Sequence, residues 1–350
     1  METIRIAING FGRIGRQAFK IALTKPEIKI VAVNDLTEPD VLAHLLKYDS
    51  VYGIYNKQVT ADDRHERVTP TNFTVGTIIV DGQKIPVFAE KDPALLPWKD
   101  LGVDVVLEST GRFTSQEKAS AHIKAGAKKV IISAPAKDEG ITKTFIIGVN
   151  DDKYAGEKII SNASCTTNCI TPVAAILESK FGIAKMMMST IHSYTAEQNL
   201  VDGPPPALHK DLRRARAAAI NITPTTTGAT TAATEAIPNL KGRFTGSAFR
   251  VPTPCGSLSD FTAILKRKVT VDEVNRAFIE AANSPKWKGI LTATKEPIVS
   301  TDIIGNPHSS IVDLGLTQVV DGDMVKVVAW YDNEFGYSNR FVEQAILISK

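Results

Sequence analysis

The 350-residue sequence contains few cysteines, and their spacing excludes one common use of sulfur. The three thiols lie at positions 165, 169 and 255, and no Cys-x-x-Cys pair occurs, so the cysteines alone predict no metal site. A low cysteine content is also typical of a reducing compartment. We therefore expect a cytoplasmic protein without a bound metal.

Long apolar runs and a strong charge imbalance are also missing. The longest apolar stretches are far too short to cross a bilayer, and Met1 leads almost at once into a strand candidate rather than a secretory segment. The 41 Lys and Arg residues nearly balance the 38 Asp and Glu residues, which predicts no dedicated nucleic-acid surface. An apolar share of 43% is ordinary for a globular protein, and the length fits two domains.

The N-terminal region carries the pattern of a dinucleotide-binding βαβ unit. A strand candidate runs into Gly10-Phe-Gly12-Arg-Ile-Gly15, which fits G-x-G-x-x-G, and residues with helical spacing follow. Gly10 permits the tight turn, Gly12 lets backbone amides approach a pyrophosphate, and Gly15 lets the helix pack on the strand. A second strand candidate leads to Asp35, 20 residues beyond Gly15, where an acid binds ribose hydroxyls. Because a carboxylate there repels a 2′-phosphate, we predict NAD rather than NADP as the cofactor.

A thiol between small hydroxyl side chains marks a second candidate site. Cys165 lies in the stretch 161–169, Ser-Asn-Ala-Ser-Cys-Thr-Thr-Asn-Cys, where an extended segment turns into a helix. The positive end of a helix dipole favours the thiolate form of such a residue. His192, in Thr-Ile-His-Ser-Tyr-Thr, would favour the thiolate further and exchange a proton with a reacting oxygen. The alternative for a lone cysteine is an inert buried hydrophobe, which we expect for Cys169.

The alternation of elements predicts two domains of different architecture. Strands and helices alternate in the first half, as in an α/β Rossmann-type dinucleotide-binding domain. In the second half, long strands, an Asp321-Gly322 hairpin turn and a helix at 271–282 with a capping box predict an α+β catalytic domain with a mixed or antiparallel sheet. The predicted bounds are 1–164 with the C-terminal helix 334–350 for the first domain, and 165–333 for the second.

The motifs, taken in order, resemble one enzyme family over essentially the whole chain. The stretches that carry the resemblance are Ile8–Gly15, Ser161–Cys169, His192–Thr195, Arg213–Arg216, Thr226–Gly228, Phe249–Pro252 and Trp330–Glu334. They are similar to those of phosphorylating, NAD-dependent glyceraldehyde-3-phosphate dehydrogenases, and the cysteine stretch alone is highly specific. The resemblance implies the oxidation of D-glyceraldehyde 3-phosphate to 1,3-bisphosphoglycerate in glycolysis or gluconeogenesis, and a homotetramer.

The resemblance also implies roles for the polar residues of these motifs. Cys165 would form a thiohemiacetal and then a thioester, with His192 as the base, before inorganic phosphate releases the acyl group. Two phosphate groups must be bound, and an arginine fork suits this task because it makes two charge-assisted bonds to one phosphate. The residues similar to the family's phosphate ligands are Ser164, Thr166, Thr195, Arg214, Thr227, Gly228 and Arg250.

The expected cofactor contacts come from strand ends and from the resemblance. The carboxyl ends of the predicted strands bring Asn9, Asp35, Thr110 and Ser133 to one edge of the sheet, where ligands of such sheets bind. The resemblance adds contacts to the pyrophosphate, the adenine and other parts of NAD, from Arg13, Ile14, Lys91 and Asn333. Together with Gly10 and Gly12, these residues form the predicted NAD site.

Three features depart from the family pattern, and two alternative functions remain. The proline-rich loop 202–209 is lengthened where the family borders the nicotinamide of a neighbouring subunit, Ala196 replaces a polar residue, and 56–80 reads as a solvated surface insertion. The first alternative is a dehydrogenase of another phosphorylated aldehyde, such as erythrose 4-phosphate. The second is a catalytically idle member that binds NAD or RNA. The histidines expected to be surface or packing residues are His44, His65, His122 and His308.

Overall fold

The computed structural model describes residues 3–68, 74–138, 140–205 and 211–350, and the chain divides into two compact units. The first unit comprises Met1–Phe145, Lys153–Ala163 and Ser338–Lys350, and the second comprises Ile146–Asp152 and Ser164–Tyr337. Within the described ranges, every helix is too short or too polar to span a membrane.

A nine-stranded sheet forms the centre of the first unit. The elements are β1 (Ile4–Asn9), α1 (Arg13–Ala22), β2 (Ile28–Asn34), α2 (Pro39–Lys47), β3 (Tyr48–Asp49), β4 (Gly53–Ile54), β5 (Val59–Asp62), β6 (Gly76–Val80), β7 (Gln83–Phe88), β8 (Val105–Glu108), α3 (Gln116–Lys124), β9 (Lys129–Ile132), β10 (Lys143–Thr144) and β11 (Ile159–Ser161). The strand order is β10-β11-β9-β8-β1-β2-β7-β6-β5, and pairing is parallel from β10 to β7. Parallel strands that alternate with helices confirm the Rossmann-type α/β prediction.

The second unit contains a seven-stranded mixed sheet. Its elements are α4 (Cys165–Phe181), β12 (Ile183–Ser193), β13 (Thr223–Thr225), α5 (Ala229–Ala236), β14 (Phe244–Val251), β15 (Ser257–Leu265), α6 (Val271–Ala282), β16 (Leu291–Thr294), β17 (Ser310–Val320), β18 (Met324–Tyr331) and the start of α7 (Phe335–Ile348). The order is β13-β14-β12-β15-β18-β17-β16, with parallel pairs at β12–β14 and β16–β17 and antiparallel pairs elsewhere. The predicted α+β domain with a mixed sheet is therefore confirmed.

Local sequence signals explain several of these boundaries. Thr270 Oγ1 accepts from the backbone N–H of Glu273 at 3.2 Å, and the Glu273 carboxylate accepts from the backbone N–H of Thr270 at 2.8 Å, so the predicted capping box begins α6. Asp321 and Gly322 have φ angles of 47° and 81°, which is the left-handed conformation that a tight hairpin between β17 and β18 requires.

The segment at 56–80 differs from the prediction. β5 and β6 pair antiparallel at the edge of the nine-stranded sheet, and four of the five β6 residues are buried. A buried strand is part of the core, so the prediction of a solvated insertion is wrong for this part of the segment. Residues 69–73 of the segment lie outside the described residues.

Helix α4 is the central helix of the second unit's core. Twelve of its 17 residues are buried, so it packs on more than one side, against the sheet and helices α5 and α6. Ile170 and Leu177 are fully buried, and each such side chain contributes about 2 kcal/mol to folding. The first residue of this helix therefore has a fixed position relative to the strands below it.

Candidate active site

The thiol predicted to react stands at the beginning of α4. Cys165 is the first helical residue, and Ser164 caps the helix by accepting a hydrogen bond from the backbone N–H of Thr167 at 3.0 Å. Ala163 has a φ of 54°, the left-handed backbone conformation, so the chain turns sharply between β11 and α4. The half-buried Cys165 thus lies at the positive end of the helix dipole.

His192, in β12, faces this thiol. Its Nε2 lies 3.4 Å from Cys165 Sγ, and its Nδ1 lies 2.7 Å from the carbonyl oxygen of Ser193. A carbonyl oxygen can only accept, and this contact is shorter than the 3.3 Å between Nδ1 and Arg250 Nη1, which has other acceptors, so we assign the ring proton to Nδ1. The Nε2 lone pair is then directed at sulfur. The structure therefore brings the two predicted catalytic residues together in an arrangement where Nε2 can accept the thiol proton.

A buried tyrosine connects the helix of the thiol to the strand of the imidazole. The Tyr331 hydroxyl lies 2.9 Å from Thr166 Oγ1 in α4 and 2.8 Å from Thr190 Oγ1 in β12. Its ring also packs edge-on against His192, with centroids 5.9 Å apart. Burial raises the pKa of Tyr331, so its hydroxyl keeps its proton at neutral pH. The sequence alone carries no signal that assigns a separate role to Tyr331.

Three of the predicted phosphate ligands meet beside this pair. Arg250 lies opposite His192 in the parallel pairing of β12 and β14, and its Nη1 donates to Thr195 Oγ1 at 3.2 Å. Arg214 is buried, and Arg214 and Arg250 both donate to the carboxylate of Glu197, Arg250 at 3.2 Å. Glu197 was missed in the sequence because a single acid near basic residues has no spacing signal.

The other four predicted phosphate ligands lie at the starts of two helices. Ser164 and Thr166 belong to the first turn of α4, whereas Gly228 caps α5 and Thr227 Oγ1 accepts from the backbone N–H of Ala229 at 3.1 Å. Both helices contribute to the same core cluster. Backbone N–H groups and hydroxyls at helix N-termini are the donors that such positions offer to anions.

The charges around the pair act on both partners. Burial and, after it, the positive charge of Arg250 lower the pKa of His192 to about 3. Burial raises the pKa of the Cys165 thiol, although Arg250 and the Thr166 amide act in the opposite direction. The lowered pKa of the imidazole and the raised pKa of the thiol both favour the neutral forms of the two groups. This is the opposite of the thiolate–imidazolium pair expected from the sequence. Burial also raises the pKa of Cys169 to about 12, as expected for an inert buried thiol.

A separate cleft of about 390 Å³ lies in the first unit, at the carboxyl ends of its parallel strands. The predicted residues that line it are Asn9, Gly10, Gly12, Asp35, Lys91 and Thr110. Residues that also line it but were not predicted are Asn34, Leu36, Glu90, Ser109, Arg112 and Phe113. Asp35 is held by the backbone N–H groups of Phe11 at 2.7 Å and Thr37 at 3.0 Å, one on each carboxylate oxygen.

The glycines of the cleft fit a dinucleotide. A Cβ on Gly15 would lie 2.1 Å from the carbonyl oxygen of Gly10, so the helix could not pack there with a side chain. Gly10 has a φ of 90°, which favours glycine. A Cβ on Gly12 would meet no protein atom within 4 Å, so glycine keeps this face of the cleft open for a pyrophosphate.

Four predicted cofactor residues are not among those that line this cleft in the described ranges. They are Arg13, Ile14, Ser133 and Asn333. The Arg13 side chain pairs with Asp49 at 2.8 Å, and Ile14 follows it in the first turn of α1. The Ser133 amide donates to the Glu108 carbonyl oxygen at 2.9 Å.

Asn333 belongs to the second unit. Its Oδ1 accepts from Ser193 Oγ at 3.0 Å, Ser257 Oγ at 3.0 Å and the Gly256 amide at 3.1 Å. Three donors on one oxygen fix the orientation of the carboxamide, so its NH₂ group remains as a donor.

Further predictions concern a histidine, the lengthened loop and metal binding. His122 was expected to be a surface or packing residue, and it is a fully buried packing residue that also has polar partners the sequence did not indicate, Trp98 and Glu108. In the lengthened loop, Asp202 accepts from the Ala217 amide at 2.9 Å and pairs with Arg216 at 2.8 Å. Residues 206–210, which include His209, lie outside the described residues. Across the described ranges, no three His, Cys, Asp or Glu residues are grouped to hold a metal ion.

Comparisons with known proteins agree over nearly the whole chain. The model of the glyceraldehyde 3-phosphate dehydrogenase NAD binding domain matches residues 4–116, and that of the C-terminal domain matches residues 164–333. A glyceraldehyde-3-phosphate dehydrogenase of Mycobacterium bovis (strain BCG / Pasteur 1173P2) is 54% identical over 99% of both chains. Those of Geobacillus stearothermophilus and Bacillus subtilis (strain 168), the latter named glyceraldehyde-3-phosphate dehydrogenase 1, are each 52% identical over 99% of this chain and 98% of their own length.

Proposed function

Because the chain belongs to the glyceraldehyde-3-phosphate dehydrogenase family, we propose that it oxidises D-glyceraldehyde 3-phosphate to 1,3-bisphosphoglycerate, with NAD and inorganic phosphate, in glycolysis or gluconeogenesis. The observation that carries the proposal is the 3.4 Å contact between Cys165 Sγ and His192 Nε2. A nucleophile in contact with its base, next to two arginines, is what covalent chemistry on a phosphorylated aldehyde requires.

Cys165 and His192 carry the bond-making steps. As Sγ attacks the aldehyde carbon, the thiol proton passes to Nε2, which then protonates the former carbonyl oxygen and gives a thiohemiacetal. Bound NAD would supply the acceptor for the hydride from that carbon. Nε2 takes back the hydroxyl proton during this oxidation, and a thioester on Cys165 results.

Inorganic phosphate then releases the acyl group. A phosphate oxygen attacks the thioester carbon, the C–S bond breaks, and the departing sulfur recovers its proton from His192. Thr195, Arg214 and Arg250 bind one phosphate group, since two guanidinium forks and a hydroxyl converge there. The residues that bind the other phosphate are Ser164, Thr166, Thr227 and Gly228, at the starts of α4 and α5.

NAD is held by the first unit's cleft. The lone pairs that remain on the Asp35 carboxylate accept the ribose hydroxyls, and the Gly10–Gly12 turn receives the pyrophosphate. The remaining residues that we propose as cofactor contacts are Asn9, Arg13, Ile14, Lys91, Thr110, Ser133 and Asn333.

The decisive assay follows absorbance of the reduced nicotinamide with glyceraldehyde 3-phosphate, NAD and phosphate or arsenate. We expect turnover that depends on the anion, because the thioester needs an acceptor. Erythrose 4-phosphate, tested in parallel, should be the poorer substrate by kcat/KM, and the reverse order would favour the related dehydrogenase. An idle binding protein would give no turnover and no fast-reacting thiol, whereas we expect one such thiol per chain.

We also propose a homotetramer in the cytoplasm. Large apolar side chains are exposed on strands of the second unit's sheet, Met187 at 67% and Val320 at 58%, and Ile220 is 81% exposed in the loop before β13. Assembly into a homotetramer would bury exposed apolar side chains such as these. The three free thiols fit a reducing compartment. Light scattering on the purified protein tests the assembly, and a monomeric mass would contradict it.

A further inference from the structure

A buried pair of polar side chains lies behind the NAD cleft of the first unit. His122 is fully buried and Glu108 is 1% exposed, and His122 Nε2 lies 2.9 Å from Glu108 Oε2. The indole N–H of Trp98 is 3.0 Å from His122 Nδ1. Because an indole N–H can only donate, Nδ1 must accept, so the ring proton is on Nε2 and is donated to Glu108. The ring is thereby fixed in one tautomer and one orientation.

The other hydrogen bonds of this carboxylate lead to the cleft. Glu108 Oε2 accepts from Asn9 Nδ2 at 2.5 Å, and Oε1 accepts from the Thr110 amide at 2.8 Å and the Thr110 hydroxyl at 2.5 Å. Asn9 and Thr110 both line the cleft. Apart from the bond from His122, all of these Glu108 bonds therefore come from residues at the cofactor surface.

A second branch of the hydrogen-bond network leads from Asn9 to Asn34 and Glu90, which also line the cleft. Asn34 Nδ2 donates to Asn9 Oδ1 at 2.7 Å, and Asn34 Oδ1 accepts from the Glu90 amide at 2.8 Å. Glu90 precedes Lys91, and both line the cleft. One continuous set of bonds thus connects the loops that follow β1, β2, β7 and β8.

We propose that His122 is a positioning residue for NAD, which acts through Glu108 to hold these cleft loops in their binding geometry. The inference rests on the NAD-binding part of the proposed function. A buried carboxylate is costly unless donors surround it, and an apolar pair would fill the same core position at lower cost. A hydrogen-bond network, unlike an apolar pair, fixes the direction of each bonded group. Here the bonded groups belong to the loops that line the cofactor cleft.

Two substitutions at one position test this role. His122→Leu removes both ring hydrogen bonds, so we expect the Kd and KM for NAD to rise on the order of tenfold while kcat at saturating NAD falls less than about twofold. His122→Gln retains a donor near the place of Nε2 and should restore most of the affinity. The matched control is Ile78→Val, a fully buried residue of β6 in the same unit that has no part in the network.

Calorimetric titration of the intact enzyme with NAD gives the affinities, and urea unfolding gives the stabilities. The control should lose stability without losing affinity. If His122→Leu binds NAD within about twofold of the wild type, or if it loses no more affinity than the control, the inference is wrong. Should His122→Leu fail to fold, Trp98→Phe frees the ring and must weaken NAD binding instead. Wild-type protein that bound no NAD would refute the proposed cofactor itself, which is a distinguishable result.

Discussion

Removing one hydroxyl should loosen the connection between the helix of the thiol and the strand of the imidazole. Tyr331→Phe deletes two buried hydrogen bonds, of 2.9 Å to Thr166 and 2.8 Å to Thr190, and retains the ring that packs on His192. Each such bond contributes about 1 kcal/mol net, and Thr190 retains the Leu258 carbonyl as an acceptor. We therefore expect a loss of about 2 kcal/mol in the free energy of unfolding.

The same variant should lose activity, because a small displacement of sulfur from its base disturbs the reacting geometry. We expect kcat/KM to fall on the order of tenfold. Tyr154→Phe is the control, since its hydroxyl makes one bond of 3.1 Å to the Glu157 carbonyl in the first unit. Urea unfolding and steady-state kinetics are measured for both variants.

A double-mutant cycle with Thr166→Val tests the pathway of the effect. If the hydrogen bond between Tyr331 and Thr166 is responsible for the effect, the double variant should lose less stability and less kcat/KM than the sum of the losses of the two single variants. Fully additive losses, or a Tyr331→Phe enzyme with wild-type kcat/KM, would refute the reasoning.

Three further substitutions probe the chemistry and the cofactor. Cys165→Ser should lower turnover by at least about a thousandfold and leave the Kd for NAD unchanged, and detectable turnover above that level would contradict a covalent role. His192→Asn should slow alkylation of Cys165 on the order of tenfold. Because the pKa of His192 is lowered to about 3, its imidazole is neutral from about pH 6 to 8. The ratio of the wild-type to the His192→Asn alkylation rate should therefore stay constant over this pH range. A ratio that changes near the ordinary histidine pKa would count against the neutral pair. Asp35→Gly should raise kcat/KM for NADP relative to NAD, on the order of tenfold, and an unchanged ratio from kinetics with both cofactors would exclude Asp35 as the selecting group.

Much of the fold could be predicted because its signals are local. The glycine turn at 10–15, the capping box at Thr270 and the hairpin at Asp321 each depend on a few neighbouring residues. The cleft was located for a similar reason, since the carboxyl ends of parallel strands meet at one edge. The β5–β6 edge was misjudged because the charged run at 62–67 resembles a surface loop, although Gly76–Val80 after it is apolar and β-branched and pairs with both β5 and β7.

The contacts that support the site could not be predicted in this way. Tyr331 lies 165 residues from Thr166 along the chain, and the hydrogen bond between them depends on the packing of α4 on β18. The roles of Glu197 and His122 likewise depend on contacts with distant residues, which strand order and helix packing bring close to them. A single sequence gives residue types and short spacings, and long-range register decides which side chains meet.

The ionisation of Cys165 shows which of two opposing effects is larger. A helix N-terminus favours an adjacent negative charge by about 0.3–1 kcal/mol, which is less than the 1.4 kcal/mol that corresponds to one pKa unit. Burial is the largest influence on the thiol and raises its pKa, so the dipole alone cannot produce a stable thiolate. The nucleophile therefore has to form as its proton moves to His192 Nε2, 3.4 Å away. Burial next to Arg250 keeps the imidazole unprotonated, so Nε2 is available to accept this proton when the aldehyde arrives, although the same surroundings weaken it as a base.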